Sequence, residues 1–401
     1  MLQEELNHIL STKSSNLLFT EEDVFPNDII SVILQYLDSI TVARTCMRIS
    51  KQWLTQSLQI PLNLDLFGWQ HKDRIPLLSN CLLLKNLTKL DLGENKLSQQ
   101  QVEAILTSPH IKKLTSLNLG NNNLNSNDMQ HLSNAFNNGN LRHLTRLSFY
   151  SNSIGSEGAQ CISNSSDLKS LKFLNLSQCN IESRGVMLLS LSENMTNVQT
   201  LLLMACKIGP EGMDHLLNCK SSRLVNLTDL KLNFNHIASE GVQLLVSTGQ
   251  HFLNHLQNLN LEGNHIDDEG VRILACCPNL NRLKNLSLKT NNITPEGVQH
   301  LATSNYLVNL VRLSLSNNQV GNEGCKALAS SPRNFLKLTH LELGFARVGQ
   351  EGVLEISKQR FRDPFHLPKL SKLNIYGNDI GDAELIDVKL KELITQQIIV
   401  F

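Results

Sequence analysis

Three groups of residues in this 401-residue chain have the types and spacing to do chemistry. Glu-Gly pairs stand at 157–158, 211–212, 240–241, 269–270, 296–297, 323–324 and 351–352. Their carboxylates could act as general acid and base. His251 and His255 lie one helical turn apart, a spacing that suits a metal ion. Cys179, Cys206 and the pair Cys276-Cys277 could serve as nucleophiles or ligands. Each group has a simpler reading. Seven Glu-Gly pairs at one recurring slot are helix-start devices. The segment holding His251 and His255 leads into a strand at Leu259. One of Cys276 and Cys277 is expected to pack inward. No phosphate-binding loop, GxGxxG, HExxH or GxSxG occurs. The expectation is a chain that is not an enzyme, with no catalytic residue, no metal and no cofactor.

The elements behind these slots form a repeat. Leu87-x-x-Leu90-x-Leu92-x-x-Asn95-x-Leu97 recurs from Leu114, Leu144, Leu171, Val198, Leu227, Leu256, Leu283, Leu310, Leu338 and Leu370, which makes eleven copies. Most steps are 27 to 29 residues, with 30 after the second copy and 32 after the tenth. Leu-x-Leu predicts a short strand with alternate side chains facing in and out. Eleven such strands, about 4.8 Å apart, predict a curved parallel sheet on the order of 50 Å along its inner arc. The residue after each strand predicts an amide ladder: Asn95, Asn122, Asn152, Asn235, Asn264, Asn291, Asn318 and Asn378. Cys179 and Cys206 fill the same slot. A helix follows in each copy. Thr294 suits its N-cap, Pro295 its first turn and Glu296 its positive end. The Gly after each Glu is expected to let the helix approach the strand layer closely. His236 and His265 share the slot after the ladder Asn and should stack on a loop rim.

This pattern resembles the long, ribonuclease-inhibitor-like class of leucine-rich repeats over roughly residues 87–390. The fold class is therefore α/β: a solenoid with a parallel sheet inside and helices outside. The expected divisions are 1–20 leader, 21–60 N-terminal helical region, 61–86 N-terminal cap, 87–382 repeats and 383–401 C-terminal cap. Leu62-Asn63-Leu64-Asp65-Leu66 would be a degenerate capping strand.

The N-terminal region carries its own signature. Phe25-Pro26-Asn27-Asp28 opens a helix with an Ile29, Ile30, Ile33, Leu34, Leu37 stripe. Ile49-Ser50-Lys51-Gln52-Trp53 closes it. This resembles an F-box, with Phe25 in place of the family's opening Leu. The resemblance implies that Phe25, Pro26, Ile29, Ile30, Ile33, Leu37 and Trp53 form the docking surface for a Skp-type adaptor, or its core. It also implies a partner cullin–RING ubiquitin ligase, and a target protein held by the repeats. Two other resemblances imply other roles. Gly209-Pro210-Glu211-Gly212 is similar to segments of Ran GTPase-activating proteins, yet the acidic tail of that family's animal and yeast members is missing. Ribonuclease inhibitor, a free scaffold, is strongly acidic and Cys-rich, and this chain is neither.

Lys plus Arg and Asp plus Glu are both 36, so the net charge is zero. That gives no global pull toward nucleic acid or an acidic membrane. No apolar run is long enough for a membrane span. Nine cysteines, an odd number without a CxxC pair, predict reduced thiols and a cytoplasmic or nuclear location. A monomer is expected outside the ligase complex. Two outward-facing apolar groups stand out as target-binding candidates. One is Tyr150, Phe173, Leu202, Met204 and Phe234; the other is His340, Phe345 and Tyr376. Arg146 and Arg312 are the strand-centred arginines of that face, too far apart to clamp one phosphate. Arg146 joins the candidate set. Arg360-Phe361-Arg362-Asp363-Pro364-Phe365 reads as an extra rim loop.

Overall fold

The computed structural model describes residues 52, 56–57, 59–68, 85–217, 222–248, 253–331, 334–362, 367, 369–381 and 399–400. The F-box-like residues Phe25, Pro26, Ile29, Ile30, Ile33, Leu37 and Trp53 lie outside them, as does His251. The chain divides into two units. One is Met1–Asn175 with Glu193–Met195; the other is Leu176–Ser192 with Thr196–Phe401.

In the first unit five strands follow one another in sequence order. They are β1 (Leu62–Asp65), β2 (Leu87–Asp91), β3 (Ser116–Asn118), β4 (Arg146–Ser148) and β5 (Phe173–Asn175), all paired parallel. Helices α1 (Gln99–Leu106), α2 (Ser126–Leu132) and α3 (Gly155–Asn164) connect β2 to β5. β1 is the strand expected at Leu62-Asn63-Leu64-Asp65, one copy ahead of β2.

The second unit holds β6 (Thr200–Leu202), β7 (Asp229–Lys231), β8 (Asn258–Asn260), β9 (Asn285–Ser287), β10 (Arg312–Ser314), β11 (His340–Glu342), β12 (Lys372–Asn374) and β13 (Ile399–Val400). They too are parallel and in sequence order. Its helices are α4 (Glu182–Leu191), α5 (Gly209–Leu217), α6 (Ala238–Thr248), α7 (Asp268–Ala275), α8 (Pro295–Ala302), α9 (Gly321–Ala329) and α10 (Gln350–Arg362). Pairing of Leu373 with Ile399 accounts for the apolar run near residue 400: it covers the open edge of β12.

Why these residues make these elements is visible in one copy. Leu256, Leu259 and Leu261 point inward and are buried, as are Ile266, Val271 and Leu274 from the loop and helix. Asn264 holds the turn between them. Its Nδ2 donates to the carbonyls of Leu232 (2.9 Å) and Glu262 (3.2 Å). Its Oδ1 accepts from the backbone N–H of Asn235 (2.9 Å) and Ile237 (3.3 Å) of the copy before. Asn291 repeats the pattern toward Asn264, and Asn318 toward Asn291. In the first unit Asn122 serves Asn95, and Asn152 serves Asn122. Each amide thus satisfies backbone groups that a tight buried turn would leave orphaned. Ala346 takes the slot in the tenth copy and is buried.

Two expectations need correction. The helix-start glycines do not serve approach to the strands. A methyl group at Gly241 would sit 2.5 Å from Ile237 and 3.4 Å from the Pro210 backbone of the preceding helix; one at Gly212 would crowd Ile208 and lie 3.2 Å from the Ser183 backbone. At Gly212, Gly241, Gly270, Gly297 and Gly352 the missing Cβ leaves room for the preceding helix, while at Gly158 it leaves room for Ile154 of its own copy. The extra residues of the long copy are not a rim loop at their start either. Arg360, Phe361 and Arg362 extend α10 to 13 residues, and 363–366 lie outside the described residues.

The outward strand face as a candidate binding site

The slots singled out for chemistry are built as structure. Thr294 caps α8 through Glu296 N–H, with Pro295 at its start. Cys179 and Cys206 are buried in the ladder, and the Cys206 thiol contacts the Leu176 carbonyl at 3.0 Å. Burial pushes that thiol up to about 11, and the Cys161 and Cys325 thiols to about 12. A thiol so far from ionising is a poor nucleophile. Cys277 is buried and Cys276 exposed. His236 and His265 do stack, with ring centroids 5.4 Å apart and 3.3 Å between Nδ1 and Nε2. No group of three or more His, Cys, Asp or Glu that could hold a metal occurs among the described residues. No helix among them is long and apolar enough to cross a membrane.

The candidate target-binding residues fall in both units. In the first, Arg146 stands exposed and places its guanidinium carbon 3.8 Å from the Phe173 ring centre. Tyr150 lays its ring over Gly120, where a Cβ would collide with it. Burial first, then the charges of Glu94 and Asp91, raise the Tyr150 phenol above its usual range. In the second unit Leu202 and Met204 are half-buried, and Phe234 is 44% exposed. Phe345 and Tyr376 are 52% and 58% exposed and meet edge to face, with centroids 5.2 Å apart.

Sequence reading missed how Phe234 and Phe345 are held. Phe234 and Phe345 occupy the slot before the ladder residue, where the backbone is left-handed, at φ 57° and 52°. A bulky residue there is strained. In the copy that follows, the same slot holds Gly263 or Gly377, and the Phe ring rests over it. The signal was present: Phe in one copy, Gly at the aligned position of the next.

Between these two phenylalanines the outward face is polar. A cleft of about 400 Å³ spans β7 to β11. Asn258 donates to Asp229, and Asn285 donates to Asn258, across neighbouring strands. Lys289 pairs with Glu262 at 3.3 Å.

Comparison with known proteins fits this architecture. The Leucine Rich repeat family matches at residues 140–163, 167–190, 224–246, 252–275 and 306–329. The matched segments are leucine-rich repeats. The five matched segments fall in both units. Similar solved structures include a chain of the Rad7 and Elc1 complex in yeast, at 16% identity and TM-score 0.58, covering 96% of this chain and 89% of that one. Another is internalin InlF from Listeria monocytogenes, at 20% identity and TM-score 0.48, with 92% of each chain covered. A third is the TLR13–ssRNA13 complex, at 20% identity and TM-score 0.43, covering 77% of this chain and 39% of that one. A search of curated proteins by sequence finds no match. At 16% identity the likeness to the chain of the Rad7 and Elc1 complex is one of fold. A leucine-rich-repeat array of this kind is a scaffold for protein interaction.

Proposed function

We propose that this chain is the non-catalytic target-recognition adaptor of an SCF-type, cullin–RING ubiquitin ligase. In this reading residues 21–60 dock on a Skp-type adaptor, and the outward strand face holds the target for ubiquitin transfer. The adaptor supplies proximity, so no reacting group is required of it. The observation that carries the reading is the order of parts along the chain. A proline-opened apolar helix pattern closes on Lys51-Gln52-Trp53, directly ahead of β1 and an array of leucine-rich repeats. The Rad7 and Elc1 complex is an instance of a repeat fold crystallised with a second protein. The Gly-Pro-Glu-Gly segment speaks less for a GTPase regulator once its geometry is known. Gly209 takes φ +64° and opens α5, a helix-start role that Gly155 and Gly321 share at φ +63° and +59°.

The test is a pull-down of the purified chain with a Skp-type adaptor, beside an Ile29→Asp, Ile33→Asp double variant. Capture by the wild type and loss of at least about tenfold in the variant is expected. A folded wild type that captures nothing would remove the ligase reading and leave residues 21–60 as a cap.

A further inference from the structure

The register of the second unit sets three basic side chains side by side. Arg312 on β10 pairs with His340 on β11, and His340 with Lys372 on β12. Neighbouring strands are about 4.8 Å apart, so Arg312 and Lys372 flank His340 and lie on the order of 10 Å from each other. Arg312 and Lys372 are exposed and have no carboxylate partner among the described residues. Just ahead of the strands, Arg282, Lys284 and Lys337 line a groove of about 320 Å³. Lys284 Nζ donates to Gln257 Oε1 at 2.9 Å, and Lys337 Nζ to Asn309 Oδ1 at 2.5 Å. Those neutral partners fix the direction of the charges and leave them uncompensated. Glu342 stands beside the row, with one oxygen accepting from the Ser314 hydroxyl at 2.8 Å. Burial first, then the fields of Arg312 and Lys372, hold the His340 imidazole below its usual range; Glu342 works weakly the other way.

We propose that this basic face across β9 to β12 binds an acidic peptide segment, rich in Glu or Asp, of the protein that the repeats hold. It deepens the reading above on the target side. Cations without a paired carboxylate on a rigid sheet gain most when a ligand brings the opposite charge. Asn285 and Ser287 lie among the cations, and their amide and hydroxyl groups can both donate to and accept from a peptide backbone. A nucleic acid fits less well. The chain as a whole is neutral. The two aromatics nearest the row, Phe345 and Tyr376, are engaged edge to face with each other rather than presenting a stacking platform.

The experiment is a fluorescence anisotropy titration of the full chain, with no ligase adaptor present. The probes are a labelled peptide of about ten residues alternating Glu and Ser, its Gln counterpart, and a single-stranded oligothymidine of similar charge. The Glu peptide should bind at least about tenfold more tightly than the Gln peptide. Its affinity should fall as salt rises from about 50 to about 200 mM. Arg312→Glu with Lys372→Glu should lower that affinity by about tenfold or more. Lys326→Glu, on the exposed face of α9, should leave it unchanged. Circular dichroism reports folding, and Arg312→Gln is the milder variant if the double one unfolds. Absence of binding by the wild type, equal affinity for the Glu and Gln peptides, indifference to Arg312, or tighter binding of the oligothymidine would each overturn the proposal. None of these outcomes touches the adaptor pull-down, which reads residues 25–53.

Discussion

The amide ladder and the outward face occupy the same copies of the second unit, a few residues apart, and obey opposite rules. At the ladder slot, four successive copies hold Asn235, Asn264, Asn291 and Asn318, each buried and each bonded to its neighbours. At the first outward strand position the same copies hold Asp229, Asn258, Asn285 and Arg312, with His340 and Lys372 following. The buried slot repeats through these four copies because the backbone groups it must satisfy are the same, and the residues that flank the run, Cys206 and Ala346, are buried too. The exposed slot varies because solvent satisfies any polar residue there, which leaves its identity free for recognition. Uniform columns therefore mark folding, and columns that change in a directed way, such as neutral to cationic, mark binding.

The sharpest way to break this comparison is at the ladder. Asn264→Ala strands two backbone N–H groups, of Asn235 and Ile237, in a buried turn, at about 1 to 3 kcal/mol for each, while the Leu232 and Glu262 carbonyls keep a second donor. A loss of about 3 to 5 kcal/mol in urea unfolding is expected, since water and relaxation recover part of it. Glu-peptide affinity of the folded fraction should not change. Reversing Arg312 and Lys372 should give the mirror result, with binding lost and unfolding unaltered.

Gly263→Ala tests the middle ground, where a backbone slot supports an exposed ring. The new methyl group collides with Phe234 and sits at φ +67°. The left-handed backbone alone costs about 1 to 2 kcal/mol. Denaturant midpoints should fall accordingly, and Phe234→Ser should recover the steric part only. Full recovery would mean that the backbone conformation is unstrained.

The smallest effect lies in pH. His340 titrates below its ordinary value near 6.5, because burial and two cations disfavour its charged form. The unfolded chain then binds the proton more readily over the window from 6.5 down to the folded value. Stability contributed by this group therefore declines as pH falls through that window, and levels off beneath it. His340→Asn should flatten that part of the stability profile. Acidic-peptide affinity should change in the opposite sense, rising on acidification, and the same substitution should remove the rise.

Much of the fold was legible because the periodic leucines and asparagines leave few alternatives. Strands at Leu90, Leu117 and Leu147, the ladder, the Thr294 cap and the stacked His236 and His265 all follow from lining up the copies. The glycine role was misread because the sequence shows the helix but not its neighbour, and the neighbour is what Gly212 and Gly241 accommodate. The Arg360 to Arg362 stretch was misread because extra length says nothing about whether a helix absorbs it. The candidate site was legible only in part. Counting Arg at strand centres separated Arg146 from Arg312 and overlooked Arg282, Lys284 and Lys337, which stand before the strands. Parallel register aligns those positions as firmly as it aligns the strand itself. The apolar group drawn from Tyr150 to Phe234 belongs to two units, and within the first Tyr150 and Phe173 already have local partners in Gly120 and Arg146.

The ladder has a consequence for how the chain reaches its native state. Bonds such as Asn95 N–H to Asn122, Asn235 N–H to Asn264 and Asn291 N–H to Asn318 close intervals of 27, 29 and 27 residues, wherever they occur along the sequence. Among the described residues the ladder joins only neighbouring copies, so the cost of closing each of its loops is nearly the same. Assembly can begin at whichever copy forms first and spread outward by templating, each finished turn offering the next its acceptors. Such a chain can acquire structure while still being synthesised, and a fault in one copy halts growth there without undoing what precedes it.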